Sequence, residues 1–155
     1  MDDVVRAFLE GRHMATLGTT NPDGSIQLTA VWYALEGDTI HVITSSGSRK
    51  VRNIVREGRA SIMVDSHERG PLRGAAGSGP ADVVQGEEAA RWNARILERY
   101  LSPEAVADPR VGGVMRKFDD CVIRLTPARW TWWDIGAAFQ GVLDTPGYLL
   151  PLSPS

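Results

Sequence analysis

Ser25-Ile-Gln-Leu-Thr-Ala-Val-Trp-Tyr-Ala-Leu35, then Glu36-Gly37-Asp38, then Thr39-Ile-His-Val-Ile-Thr44, is the stretch that decides the fold. Both runs are rich in β-branched and aromatic residues, and three turn-forming residues separate them, so they read as two strands of a hairpin. Upstream, Asn21-Pro22-Asp23-Gly24 is a turn of strong chemistry, because Pro fixes φ early and Gly accepts positive φ later. It joins the long strand to Met14–Thr20, which gives three strands in a meander. Downstream, Ser45-Ser46-Gly47 breaks the pattern, Ser48 is a natural N-cap for a helix over Arg49–Arg56, and Gly58 ends it.

Farther out, Val4–Gly11 carries Val4, Val5, Phe8 and Leu9 at helical spacing. Ala60–Asp65 and Ala75–Val84 read as strands, with a Gly- and Pro-containing loop over His67–Gly74 between them. Glu87–Leu101 is the longest helix, with Ala90, Asn93, Ala94 and Leu97 on one side. Ser102-Pro103-Glu104 opens a short helical piece. Asp120–Thr126 and Arg129–Ile135 are the last of seven strands. The expected class is mainly β with flanking helices: short strands joined by tight turns make an antiparallel sheet, and so many in a small domain close on themselves. Residues 1–135 form one domain and 136–155 a Gly- and Pro-rich tail.

The chain has 155 residues, enough for one domain with a sizeable core, and a net charge of −2, which gives no general attraction to nucleic acid or an anionic membrane. Its 17 basic residues include two lysines, Lys50 and Lys117, so a lysine inside a motif stands out. A single cysteine, Cys121, excludes an intrachain disulfide, the N-terminus is acidic, and no apolar run reaches membrane-spanning length. A cytoplasmic protein is expected. His13, His41 and His67 have no metal-ligand spacing, so no metal is expected. Cys121 lies among Val122, Ile123 and Leu125, as a small buried hydrophobe does.

The segment that could carry chemistry is Thr44–Asn53. Serine hydroxyls, a helix N-terminus with free N–H groups, and Arg49, Lys50, Arg52 and Asn53 meet there, which suits a phosphate. A solvated basic helix start with a serine cap is the plainer reading of the same residues, and spacing does not say which phosphate would bind. In the long strand, Ile26, Leu28, Ala30, Trp32 and Ala34 form one face, expected to be core. Ser25, Gln27, Thr29, Val31 and Tyr33 form the other, suited to an interface or to a ring with hydrogen-bonding edges.

These residues resemble a known family. Asn-Pro-Asp-Gly, Val31-Trp32-Tyr33, Gly37-Asp38-Thr39-Ile40, Thr44-Ser45 and Gly47-Ser48-Arg49-Lys50-Val51-Arg52-Asn53 are similar to the pyridoxamine-5'-phosphate-oxidase-like split β-barrel proteins, and within them to the branch that uses coenzyme F420. The resemblance spans roughly residues 4 to 133. It implies a homodimer with cofactors at the interface and hydride transfer between a (deaza)flavin and a small conjugated substrate. It implies that Ser48, Arg49, Lys50 and Asn53 hold the cofactor phosphate, that Thr44 and Ser45 line the ribityl chain, and that Gln27, Thr29 and Val31 lie along the ring. The partner subunit would close the other side with residues near Ala75–Ala81 and the C-terminal tryptophans.

F420 continues beyond its phosphate, so it needs an open basic exit, for which Arg52, Arg56 and Arg59 are the candidates. FMN, the alternative cofactor, needs a closed cup. A non-enzymatic haem- or flavin-binding protein of the same fold is a further alternative, with His41 or His67 as haem ligand. Trp130 and Trp132 should face one side of the last strand and Trp133 the other, as core and interface packing. The pattern assigns no catalytic residue; Tyr33, His41 and Asp134 are the titratable candidates for a proton donor.

Overall fold

The computed structural model describes residues 1–66, 73–115, 121–139, 141–142 and 145–146. Eight strands and six helices follow one another as α1 (Asp3–Glu10), β1 (Ala15–Thr20), β2 (Ile26–Val31), β3 (Tyr33–Glu36), β4 (Thr39–Thr44), α2 (Arg49–Glu57), β5 (Arg59–Asp65), β6 (Arg73–Val84), α3 (Gly86–Tyr100), α4 (Pro103–Ala107), α5 (Pro109–Met115), β7 (Cys121–Leu125), β8 (Arg129–Asp134) and α6 (Ile135–Ala138). All pairings are antiparallel, in the order β2-β1-β5-β6-β7-β4-β3 with β8 added to β6. The result is a split β-barrel: an antiparallel sheet curled on itself with helices at its flanks.

The strand β6 makes the curl. Its first part pairs with β5 and β8, and its last part, Ala81–Val84, pairs with β7, so one 12-residue strand serves both halves of the sheet. β7 and β8 follow each other along it through a corner at Thr126–Ala128, where Thr126 N donates to Pro80 O and Ala128 N to Ser78 O. Gly79 sits under that corner; a Cβ there would collide with the Thr126 carbonyl oxygen and the Pro127 backbone.

The expected long strand Ser25–Leu35 is two strands. β2 pairs with β1 and β3 pairs with β4, so the chain passes from one half of the sheet to the other at Trp32. The Tyr33 amide leaves the ladder and donates to the Tyr100 hydroxyl at 3.4 Å. The predicted facing is reversed within β2, whereas Ala34 in β3 is buried as expected. Gln27, Thr29 and Val31 stand opposite Thr19, Leu17 and Ala15 and point inward with them. Ile26 and Leu28, expected in the core, are 62% and 68% exposed. A strand's alternation gives two faces but not which is inside, and the curl decides that.

Val5, Leu9, Leu17, Tyr33, Ile40, Val42, Ile54, Ile62, Ile123 and Leu125 fill the barrel. A second cluster, with Ala34, Ile43, Val122, Trp92 and Ile96, lies under α3. The buried side of α3 is Ala89, Trp92, Asn93 and Ile96, rotated from the expected Ala90, Asn93, Ala94 and Leu97 because the bulky Trp92 and Ile96 take the core positions. Trp130 and Trp132 pack on the barrel core, and Trp133 lies across Gly74 on the opposite face, as the alternation predicts. Arg73 and Gly74 belong to β6, whereas residues 67–72 of the expected loop, and His67 with them, lie outside the described residues, as does Lys117. Two helices, α5 and α6, were not predicted. Among the described residues no helix is long and apolar enough to cross a membrane.

Candidate functional site: a cavity between β2–β4 and the start of α2

A cavity of about 700 Å³ opens where β4 ends and α2 begins. Thr44, Ser45, Gly47, Ser48 and Lys50 line one side, and Met14, Ala30, Val31, Trp32, Ile43 and Met115 the rest. Ser48 is the N-cap: its Oγ accepts from Val51 N at 3.4 Å and lies 3.3 Å from Thr44 Oγ1. Its amide donates to Ser45 O, which fixes the loop that carries the hydroxyls. The start of the helix, where backbone amides lack intrahelical acceptors, therefore borders the cavity.

Lys50 is the charge in this wall. It is half-buried, and desolvation lowers its pKa from the ordinary 10.5, with buried Cys121 acting weakly the other way. Among the described residues it has no carboxylate partner. A partly desolvated ammonium beside hydroxyls and a helix N-terminus fits an anion, phosphate above all.

Of the nine residues expected to touch cofactor, Val31, Thr44, Ser45, Ser48 and Lys50 line the cavity. Gln27 and Thr29 are half-buried on the inner face of β2 and do not. The Gln27 Oε1 is buried and has no partner among the described residues. Arg49 is exposed and lies near the β1–β2 hairpin tip. There the Ser25 hydroxyl and amide hold the Asp23 carboxyl below its usual range, with a small contribution from Arg49. Asn53 is 2% exposed, and both its amide hydrogens are committed, to Thr19 Oγ1 at 3.1 Å and Asn21 Oδ1 at 3.0 Å. It ties α2 to the hairpin.

Among the described residues, the candidates for a basic exit do not converge on the cavity. Arg52 donates to Gly47 O at 2.6 Å. Arg56 pairs with Glu57 and donates to Asn53 Oδ1 and Thr20 O. Arg59 lines a separate groove on the outer sheet face.

The proton-donor candidates lie elsewhere. Tyr33 is fully buried, donates to Leu9 O at 2.8 Å, and is pushed far above the usual phenol range by burial. Asp134 pairs with Arg73 and caps Ala137 N. His41 is 3% exposed, stacked on Trp92 at 3.5 Å with 10° between planes, and burial lowers its pKa to about 4. That sealed position does not suit a haem ligand. Among the described residues no group of three or more His, Cys, Asp or Glu side chains converges as a metal site. Met14 and Met115 are wall residues that sequence reading missed; nothing in their local pattern marks them, because the fold brings them there.

The profile of the pyridoxamine 5'-phosphate oxidase family matches residues 1–134. An F420H(2)-dependent biliverdin reductase of Mycobacterium tuberculosis (strain CDC 1551 / Oshkosh) is 35% identical over 107 residues, covering 66% of this chain and 74% of that protein. The conserved hypothetical protein Rv2991 of Mycobacterium tuberculosis superposes with a TM-score of 0.70 at 28% identity, covering 99% of this chain and 94% of that one. HutZ, the heme storage protein from Vibrio cholerae, superposes at 0.64 with 18% identity, covering 86% and 93%, which is a likeness of fold alone. With its split barrel and a match over residues 1–134, this chain belongs to the pyridoxamine 5'-phosphate oxidase family.

Proposed function

We propose that this chain is an F420-dependent reductase that transfers a hydride between the deazaflavin and a small conjugated organic substrate. The observation that carries the reading is Lys50: a half-buried ammonium with no carboxylate partner among the described residues, set beside the Ser45–Ser48 hydroxyls in a cavity of ring-sized volume. Lys50, Ser48 and the first amides of α2 would take the cofactor phosphate, Thr44 and Ser45 the ribityl hydroxyls, and Val31 with Trp32 the ring. The cofactor supplies the hydride chemistry; the chain binds, orients and excludes water. The F420-using biliverdin reductase supports this cofactor and makes biliverdin the first substrate to assay.

FMN is the second reading, favoured by one observation: Arg52 and Arg56 are bound to Gly47 O, Thr20 O and Glu57 rather than extending a channel from Lys50. Titration of the protein with each cofactor tests both. Quenching of F420 fluorescence at micromolar concentration supports the first; a yellow chromophore that co-purifies supports FMN; absence of binding by either removes the site.

The chain acts, in this reading, as a cytoplasmic homodimer. Ile26, Leu28 and Met63 are exposed on the outer face of β2-β1-β5-β6, together with Thr16, Gly18 and Ala76, an apolar sheet surface of the kind a second subunit covers. Light scattering should give twice the chain mass, and Leu28→Glu should give monomer; a wild-type monomer removes the dimer.

A further inference from the structure

We infer that Tyr100 is a positioning residue for the cavity: it holds the Trp32 indole as a fixed flat wall on which the ring of the bound cofactor stacks. This rests on the (deaza)flavin reading above.

Trp32 sits at the break between β2 and β3, where no strand neighbour fixes it, and it is half-buried at the cavity edge. An indole in that position needs another constraint to keep one rotamer. Tyr100, the last residue of α3, supplies it. The two rings are parallel to within 4°, with centroids 5.0 Å apart. Trp32 lines the cavity and Tyr100 does not, so the phenol backs the indole and leaves the cavity side to a ligand.

The hydroxyl of Tyr100 adds a second constraint. It donates to His13 O at 2.6 Å and accepts from Tyr33 N at 3.4 Å. These backbone groups adjoin Met14 and Trp32, two of the wall residues. Packing alone would need only the ring; the hydroxyl bonds fix the main chain on both sides of the wall. Arg99 holds the same turn in place, donating to Leu9 O and Gly11 O with its guanidinium 5.8 Å from the Tyr100 ring. A planar aromatic wall with a locked rotamer favours planar conjugated ligands, because stacking needs coplanarity and little ordering on binding.

The test is a double-mutant cycle on the full chain, read by F420 and FMN affinity and by the absorption shift of the bound ring, with Tm recorded for every variant. Wild type binds; Trp32→Leu and Tyr100→Leu each weaken binding about tenfold and abolish the stacking-induced absorption shift; the double variant is no weaker than either single. Tyr100→Phe, which keeps the ring but loses both hydroxyl bonds, weakens binding about threefold and keeps the shift. Additive losses, or an unchanged shift in Tyr100→Leu, overturn the inference while leaving the cofactor site standing. If Tyr100→Leu does not fold, Tyr100→Met is read in the same cycle. If wild type binds neither cofactor, the functional reading falls, and this inference falls with it.

Discussion

The two ends of α2 carry similar residues and do different things. At its start, Ser48 and Lys50 face a cavity, and Lys50 has no carboxylate partner among the described residues. One turn on, Asn53 and Arg56 face the β1–β2 hairpin, and their donors are taken up by Thr19, Asn21, Thr20 and Glu57. A list of residue types groups all four as phosphate ligands. What separates them is whether a donor already has a partner when the site is empty. A satisfied buried donor holds the fold, and an unsatisfied one facing a void is available to a ligand.

The sharpest way to break this contrast is to exchange stability for binding. Asn53→Ala removes three hydrogen bonds and leaves the buried Thr19 hydroxyl, the Asn21 amide oxygen and Arg56 short of a partner. It should lower stability by about 3 kcal/mol in denaturant unfolding, while the folded fraction binds cofactor with unchanged affinity. A loss of affinity at unchanged stability would make Asn53 a ligand after all.

Lys50→Met should do the opposite. Binding of a phosphate-bearing cofactor should weaken by about 2 kcal/mol, roughly thirtyfold, the scale of a charge-assisted hydrogen bond. Stability should hold or rise slightly, because a desolvated ammonium is removed from the empty cavity. A variant that binds normally, or that unfolds, erases the difference between the two ends.

How far the sequence made this legible follows from the same contrast. The strands, the turn at Asn21–Gly24, the Ser48 cap and the Gly58 stop are local signals, and all appear. The anion site proposed at Ser45–Lys50 is local too, because a cap and a helix start are neighbours in sequence. The errors come from relations between distant segments. The sheet changes sides at Trp32 because β3 pairs with β4 and Tyr33 meets Tyr100, 67 residues away. Ile26 and Leu28 face outward because the curl at β6 sets which side of β2 is inside. The amide of Asn53 is engaged by Thr19 and Asn21, which reach it from a hairpin more than 30 residues earlier. Arg49 and Asn53 are four apart and share a helix face, but spacing records which residues share a face and not what meets that face.

Titration gives a finer test of which end holds the ligand. Lys50 must be protonated to pair with phosphate, and burial sets its value in the empty protein below 10.5. Below that lowered value the ammonium is charged and affinity is flat; as pH rises through it, affinity falls. Lys50→Arg, whose guanidinium stays charged, should hold its affinity to higher pH. The same alkaline loss in both proteins would assign the titration to another group.

The smallest expected effect concerns Arg56. Its Nε pairs with Glu57 at 2.7 Å, both side chains being substantially exposed, so solvent screens the pair. Its bonds to Thr20 O and Asn53 Oδ1 join the helix to the hairpin, where water can replace the guanidinium at Thr20. Arg56→Ala should therefore cost under about 1 kcal/mol in stability, well below Asn53→Ala. Its effect on cofactor discriminates further. If Arg56 is only a hairpin tie, F420 and FMN affinities change equally little. A selective loss for F420 would mean that, in the bound state, Arg56 leaves Glu57 for the acidic tail beyond the phosphate. The far end of α2 would then be a ligand site that the empty protein keeps closed with its own hydrogen bonds.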